Sequence, residues 1–309
     1  MGKLAYIFPG QGAQKAGMGK DFYENSAESR AVFDRAQELL GLDMKALCFE
    51  ENDKLDITEY TQAAMVTVSL AILAEMEARG IRKPDVTAGL SLGEYAAMAA
   101  AGVMSAEDAI WTVRQRGILM QEAVPPGKGA MAAILAMKAG EIEAVLSGME
   151  DVQIANYNCP GQIVISGRTE AVEAACEALL KAGARRAVKL NVSGPFHSAL
   201  LKEAGEKLAK VLEKAEIKEH EIPYVANVTA EYVTGTEEVR ELLKQQVYSS
   251  VKWQQSVETM LADGVDTFVE IGPGRTLTSF IRKISRAARV YNVETWEDLE
   301  KLQQDWSRN

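Results

Sequence analysis

A short apolar run from Val86 passes through Gly89-Leu90-Ser91-Leu92-Gly93 directly into an alanine-rich stretch that stops at Gly102. No other segment constrains the fold as much. A serine on a tight strand-to-helix turn needs glycines beside it, because a Cβ on either flank would collide with the turn. The hydroxyl is then held clear of the backbone, above the start of a helix whose first N–H groups have no partners. The segment therefore reads as a nucleophile elbow between a buried strand and a helix.

The rest of the chain repeats that alternation. Leu4–Phe8 reads as a buried strand closed by Pro9-Gly10-Gln11-Gly12, followed by helices around Met18–Tyr23 and Ser29–Leu40. A long helix from about Thr58 to Arg79 carries Ala63, Val66, Leu70 and Leu73 at helical spacing and ends at Gly80. Another runs from Ser105 to about Ala123, with Ser105 and Asp108 spaced as an N-cap. Strands alternating with helices predict a large α/β, hydrolase-like domain on a mostly parallel sheet.

Pro125-Pro126-Gly127-Lys128-Gly129 then breaks the pattern. Beyond it the order is strand (130–136), helix (138–148), strand (152–157), strand (162–166), helix (169–182) and strand (185–190). Asn158-Cys159-Pro160-Gly161 supplies the central turn. This βαββαβ order predicts a ferredoxin-like subdomain at 124–192, inserted into a large domain made of 1–123 and 193–309. The large domain resumes with a helix at 198–215, a strand at 222–228 and helices near 236–248 and 253–263. A strand at 267–271, a helix at 277–287 and a last strand near 288–292 complete it.

Net charge is −10 and the sequence pI about 5.0, which excludes a general nucleic-acid binder with a dominant basic face. Cys48, Cys159 and Cys176 fit neither a disulfide framework nor a metal site, and read as reduced, buried thiols of a cytoplasmic protein. The apolar N-terminal stretch is too short for a signal peptide. Ala63–Ala74 is too short to span a bilayer and is followed by Glu75 and Glu77. A monomer with no membrane segment is expected.

A serine hydroxyl needs a base to act as a nucleophile at neutral pH. The chain has two histidines. His197 lies in a Gly194-Pro195-Phe196 loop after the inserted subdomain, where clefts form between units. His220 lies in the charged stretch Lys218-Glu219-His220-Glu221 and reads as a surface residue. The candidate base is His197. No Asp or Glu distinguishes itself as the group that orients the imidazole.

These residues, taken together, resemble the malonyl-CoA:acyl carrier protein transacylases over nearly the whole chain. The matching segments are Phe8-Pro9-Gly10-Gln11-Gly12-Ala13-Gln14, Gly89-Leu90-Ser91-Leu92-Gly93-Glu94-Tyr95, and Gln115-Arg116-Gly117 with Met120. They continue with Asn156 through Gly167, Gly194-Pro195-Phe196-His197, Gln246-Val247-Tyr248 and Glu270-Ile271-Gly272-Pro273-Gly274. The resemblance implies that Ser91 is acylated, that His197 shuttles the proton, and that the Gln246 backbone carbonyl holds the second histidine nitrogen. It further implies an oxyanion hole from the N–H groups of Gln11 and Leu92, and substrate-binding roles for Arg116, Met120, Phe196 and Asn158. The implied partners are malonyl-CoA and acyl carrier protein, with no metal or redox cofactor.

A planar guanidinium suits the free carboxylate of a malonyl group. Helical spacing does not separate Arg116 from Arg114; only the Gln-Arg-Gly match selects Arg116. Phe196 reads equally as a wall against a 2-methyl branch and as core packing. Leu90 stands where relatives usually carry histidine, which predicts an effect on packing alone. An acidic carrier needs a basic landing site, and two clusters offer one: Lys181, Arg185, Arg186 and Lys189, or Arg282, Lys283, Arg286 and Arg289. The alternative function is a serine esterase or thioesterase. Against it, no histidine follows residue 220, and Asp263-Gly264, the pair a Ser–Asp lipase would use, sits at a helix end.

Overall fold

Alternate residues of Lys3–Phe8 (β1) face opposite ways, and both faces are apolar: Leu4, Tyr6 and Phe8 on one, Ala5 and Ile7 on the other. Such a strand has to lie inside a sheet covered on both sides. In a computed structural model, which describes residues 2–307 except 126, 193 and 221, it does. Pro126 of the breaker cluster, Ser193 before the histidine loop and Glu221 beside His220 thus lie outside the described residues.

The elements that follow are α1 (Lys20–Asn25), α2 (Ala27–Leu40), α3 (Met44–Phe49), α4 (Thr58–Ala78), β2 (Val86–Gly89), α5 (Gly93–Ala101) and α6 (Ala106–Glu122). Next come β3 (Gly129–Leu135), α7 (Ala139–Leu146), β4 (Val152–Cys159), β5 (Gln162–Arg168), α8 (Thr169–Lys181) and β6 (Arg186–Lys189). The chain ends with α9 (Lys202–Leu212), β7 (Tyr224–Val225), β8 (Tyr232–Val233), α10 (Val239–Gln246), α11 (Trp253–Ala262), β9 (Val265–Ile271), α12 (Thr276–Ile284), β10 (Arg289–Val293) and α13 (Trp296–Ser307).

The larger sheet has the order β10-β9-β1-β2-β7-β8, parallel except for the β7–β8 hairpin. Parallel strands put their carboxyl ends on one edge, where such sheets bind ligands. Gln11 follows β1, Ser91 follows β2, Asn227 follows β7 and Thr276 follows β9, so one edge collects all four. The second sheet, β4-β5-β3-β6, is antiparallel throughout and has the ferredoxin-like order. Ala130, Ala132 and Ile134 pack against α7 and α8, whereas Met131 and Ala133 face the larger unit. A stitch joins the two: Val251 exchanges backbone hydrogen bonds with Ala155 and Tyr157 of β4 at 2.8 and 2.9 Å.

Local expectations hold with shifts at the ends. Ser105 does cap α6, its hydroxyl accepting from the Asp108 N–H at 3.0 Å. The turn between β4 and β5 is the pair Pro160-Gly161, because β4 continues through Asn158 and Cys159. The expected strand 222–228 is only Tyr224–Val225, since a turn at 227–229 reverses the chain into β8. The expected helix 198–215 starts as a 3₁₀ turn at 199–201 and continues as α9 to Leu212. The helix expected at 277–287 stops at Ile284. Helix α4 is buried on nearly every side, including Thr61, Gln62, Thr67 and Ser69, so its apolar spacing understated its burial. Helices α3 and α13 and strand β8 were not expected. Cys48 and Cys159 are buried, but Cys176 is only partly so. Among the described residues, no helix is long and apolar enough to cross a membrane.

Contacts explain the elbow glycines. A Cβ on Gly89 would land on the Gly93 carbonyl, and one on Gly93 would land on the carbonyls of Phe8 and Pro9. Neither obstacle is a flexible side chain. Gly93→Ala should therefore lower unfolding stability by about 2–3 kcal/mol or more. Gly140→Ala, in open space on α7, should raise it by about 0.5–1 kcal/mol. Urea unfolding of the two variants measures both, and equal effects would contradict the elbow packing.

Candidate active site

Ser91 takes φ +55°, a left-handed conformation that costs a non-glycine residue energy and needs local support. Asn227 provides it. Its Oδ1 accepts the Ser91 N–H at 2.7 Å and its Nδ2 donates to the Gly89 carbonyl at 2.6 Å, so one buried amide staples both sides of the turn. His197 is likewise left-handed, at φ +58°. Gln153 braces its loop, donating to the His197 carbonyl at 3.1 Å and accepting from the Ala199 N–H at 3.0 Å.

These two strained residues meet. Ser91 Oγ lies 2.8 Å from His197 Nε2, and His197 Nδ1 lies 2.7 Å from the Gln246 carbonyl oxygen. A carbonyl can only accept, so Nδ1 carries the hydrogen and Nε2 is left to accept from the serine hydroxyl. Among the described residues no carboxylate orients the ring, which is why none was visible in the sequence. Burial, aided by the nearby Arg116 charge, pushes the His197 pKa down to about 3, and the imidazole is neutral at neutral pH.

Arg116 is buried beneath the serine. It donates from one terminal nitrogen to Ser91 Oγ at 3.1 Å and to Gln246 Oε1 at 2.8 Å, and from the other to Gln62 Oε1 at 2.7 Å. Among the described residues its Nε has no hydrogen-bond partner. Arg114 points away, pairing with Glu59 at 2.7 Å over the Tyr60 ring. Two residues apart on a helix means opposite faces, and the contacts make the choice that spacing could not.

Gln11, Ser91, Met120, Asn158, Phe196 and His197 line one cleft of about 630 Å³ between the two sheets. Asn158 Oδ1 is buried there with no hydrogen-bond partner among the described residues. Among the described residues, neither the Gln11 nor the Leu92 main-chain N–H has an acceptor within the protein. Leu92 sits at the N-terminus of α5, where the helix dipole favours negative charge. Leu90 packs against the sheet's second core and takes no part in the proton path. His220 is elsewhere, beside β8, with Nε2 3.3 Å from the Val233 carbonyl. Asp263 is tied up at the end of α11 by Lys3 and Tyr232.

Four residues of the site escaped the sequence reading: Gln62, Glu94, Asn227 and the side chain of Gln246. Gln62 faces inward from α4 among apolar neighbours, and a polar residue in such a helix was the available signal. Asn227 carries none, since the apolar residues before it continue the strand pattern into its turn.

The buried neutral histidine has a linked consequence. Its folded pKa lies below the unfolded value, so its stabilising contribution is full above about pH 6.5 and fades as pH falls toward 3. His197→Gln should flatten that acid limb in a plot of urea midpoint against pH. An unchanged slope would place the titration elsewhere.

A model of the acyl transferase domain family matches residues 5–308. The chain is 46% identical over 305 residues to the malonyl CoA-acyl carrier protein transacylase of Bacillus subtilis, covering 97% of this chain and 96% of that one. The crystal structure of the malonyl CoA-acyl carrier protein transacylase from Clostridium perfringens is similar with a TM-score of 0.95 at 42% identity, over 99% and 98% of the two chains. A malonyl-transacylase solved in complex with its type II PKS acyl-carrier protein is similar at a TM-score of 0.94 and 39% identity, over 98% and 99%. With the match spanning both sheets and every strand end that lines the cleft, the chain belongs to the acyl transferase domain family.

Proposed function

We propose that the chain transfers a malonyl group from malonyl-CoA to the phosphopantetheine thiol of acyl carrier protein through a malonyl-Ser91 intermediate. The observation that carries this reading is the Arg116 guanidinium 3.1 Å from the serine oxygen, in a site whose base is already assembled. Ser91 Oγ attacks the thioester carbon while its proton passes to His197 Nε2. The resulting oxyanion lies against the N–H groups of Gln11 and Leu92. Collapse breaks the C–S bond, and the departing CoA sulfur takes the proton from His197. In the second half, the carrier thiol gives its proton to His197 and attacks the ester, and Ser91 leaves with the proton returned.

Gln62 lines the cleft and also accepts from Arg116, so it marks the side from which a substrate carboxylate reaches the guanidinium. A malonyl carboxylate takes the place of the Gln62 oxygen there, with Met120 and Phe196 closing the cavity around the acyl chain and Asn158 offering its free oxygen to a substrate N–H. In this reading residues 1–123 and 193–309 form the catalytic unit, 124–192 is the inserted one, and the enzyme works in the cytoplasm.

The two basic clusters of the sequence converge. Arg185 and Arg186 from the inserted unit and Lys283 from α12 surround one notch at the Pro160-Gly161 turn, and none has an ion-pair partner among the described residues. Lys181, Lys189 and Arg289 are instead paired with Glu177, Glu173 and Asp266. Phe280, one turn before Lys283 on the same helix, lines the catalytic cleft. We assign the notch to the acidic carrier.

Intact-protein mass spectrometry after brief exposure to malonyl-CoA should show a malonyl adduct on Ser91 that carrier protein discharges faster than water does. Faster loss to water would favour an esterase. Arg116→Ala should lower malonyl loading about 10²–10³-fold more than acetyl loading, and an equal drop would remove the carboxylate clamp. Arg186→Glu combined with Lys283→Glu should raise KM for the carrier at least about tenfold while leaving malonyl-CoA loading nearly intact. A matching loss in loading would place the carrier elsewhere.

A further inference from the structure

Glu94 is fully buried on the first turn of α5, three residues past the reactive serine, and the mechanism above gives it no role. Its Oε2 accepts from Gln246 Nε2 at 2.7 Å and from the Asn227 backbone N–H at 3.3 Å. The same Gln246 nitrogen donates to the Ser91 carbonyl at 2.9 Å, and the opposite end of that amide, Oε1, accepts from Arg116 at 2.8 Å. A primary amide has two unlike ends, and these partners allow one orientation only. The NH₂ end has to face the carboxylate and the carbonyl; the oxygen then has to face the guanidinium. A flipped amide would set N–H against N–H at Arg116 and oxygen against oxygen at Glu94.

We propose that Glu94 is a positioning residue that fixes the Gln246 amide, and through it the Arg116 guanidinium, in the orientation that accepts a substrate carboxylate. Gln246 Oε1, Gln62 Oε1 and Ser91 Oγ are the acceptors that hold Arg116, and all three are neutral. Of these, Gln62 gives way to the substrate and Ser91 becomes an ester. Gln246 is then the acceptor that keeps the guanidinium in register throughout the cycle. Burial holds the Glu94 pKa up at about 7, and both protonation states still present an oxygen to Gln246. What matters is an acceptor at that point, and the effect falls on the recognition of a carboxylate. An acetyl group does not use the clamp.

This inference rests on the malonyl-transfer reading, and the test separates the two. Loading of Ser91 by malonyl-CoA and by acetyl-CoA is followed by mass spectrometry and steady-state kinetics in four single variants and one double variant. Glu94→Gln keeps an acceptor and should retain most of the malonyl kcat/KM. Glu94→Leu removes it and should lower malonyl kcat/KM by about ten- to hundredfold, mostly through KM, with a much smaller fall for acetyl. Glu94→Asp withdraws the oxygen by one methylene while keeping the charge, and should behave like Leu; it carries the test if Leu does not fold. Gln246→Met, which spares the backbone carbonyl on His197, should reproduce the loss and be non-additive with Glu94→Asp. Equal falls for malonyl and acetyl would overturn the proposal in favour of simple support of the elbow. A damaged Gln variant beside a healthy Asp variant would overturn it in favour of charge. Failure of the unaltered enzyme to load malonyl at all would overturn the transferase reading and this inference with it.

Discussion

Gln246 donates from its amide nitrogen to the Ser91 carbonyl and to Glu94, accepts from Arg116 on its amide oxygen, and accepts the His197 Nδ1 proton on its backbone carbonyl. One buried residue at the end of α10 thereby sets the nucleophile's turn, the base's tautomer and the cation's direction. All of these bonds lie in a water-poor interior, where each is electrostatically stronger than in solvent and each missing partner costs more. That dependence explains the stitch just downstream. Val251 pairs with β4 and Lys252 donates to the Asn227 carbonyl at 2.9 Å, so the segment carrying Gln246 is pinned to both sheets. A site shared between two units stays in register because the chain that joins its parts is itself hydrogen-bonded to each.

The candidate serine and the histidine that meets it were legible for reasons of geometry and scarcity. Only glycine fits where Gly89 and Gly93 face backbone atoms, so the elbow leaves a mark in the sequence. Two histidines left a short search. The orienting group left no mark, because a backbone carbonyl exists at every position, and only resemblance pointed to Gln246. Glu94, Gln62 and Asn227 were hidden because their value lies in partners 54 to 152 residues away, which one-dimensional spacing does not encode. Helix α13 is a different case. Thr295 and Asp298 cap that helix reciprocally, at 3.2 and 3.0 Å, and the pattern stood in the sequence. The strand expected at 222–228 was too long for a complementary reason: its apolar residues continue into a turn that exists to present Asn227.

Arg116 carries the largest electrostatic cost of the site. A guanidinium this deeply buried with neutral acceptors is poorly compensated, and burial lowers its own pKa. Burial first, and the same charge second, hold His197 down as a base. On the proposed function, an arriving malonyl carboxylate changes both at once. It sets a counter-charge directly on Arg116, which otherwise has only the Glu94 carboxyl nearby and not bonded to it, and weakens the repulsion that opposes an imidazolium. The substrate's own carboxylate thus improves the base that will act on it, whereas an acyl group without one leaves the histidine as weak as before. Selectivity then comes from reactivity as well as from binding, because the two charges act on the same ring.

The weakness of that base also bears on why the acyl group would pass to a thiol and not to water. With a backbone carbonyl as orienter, His197 gains no full negative charge beside it when it takes a proton, unlike an imidazole backed by a carboxylate. A nucleophile that gives up its proton readily needs little from such a base. A thiol does so near pH 8.5 or so, while water requires about 15.7. Whatever the basicity of His197, taking a proton from water is less favourable than taking one from a thiol by about seven orders of magnitude. Water is therefore the poorer competitor at a base with no carboxylate behind it, and in the proposed mechanism the malonyl ester on Ser91 outlasts its exposure to solvent until a carrier thiol enters the cleft.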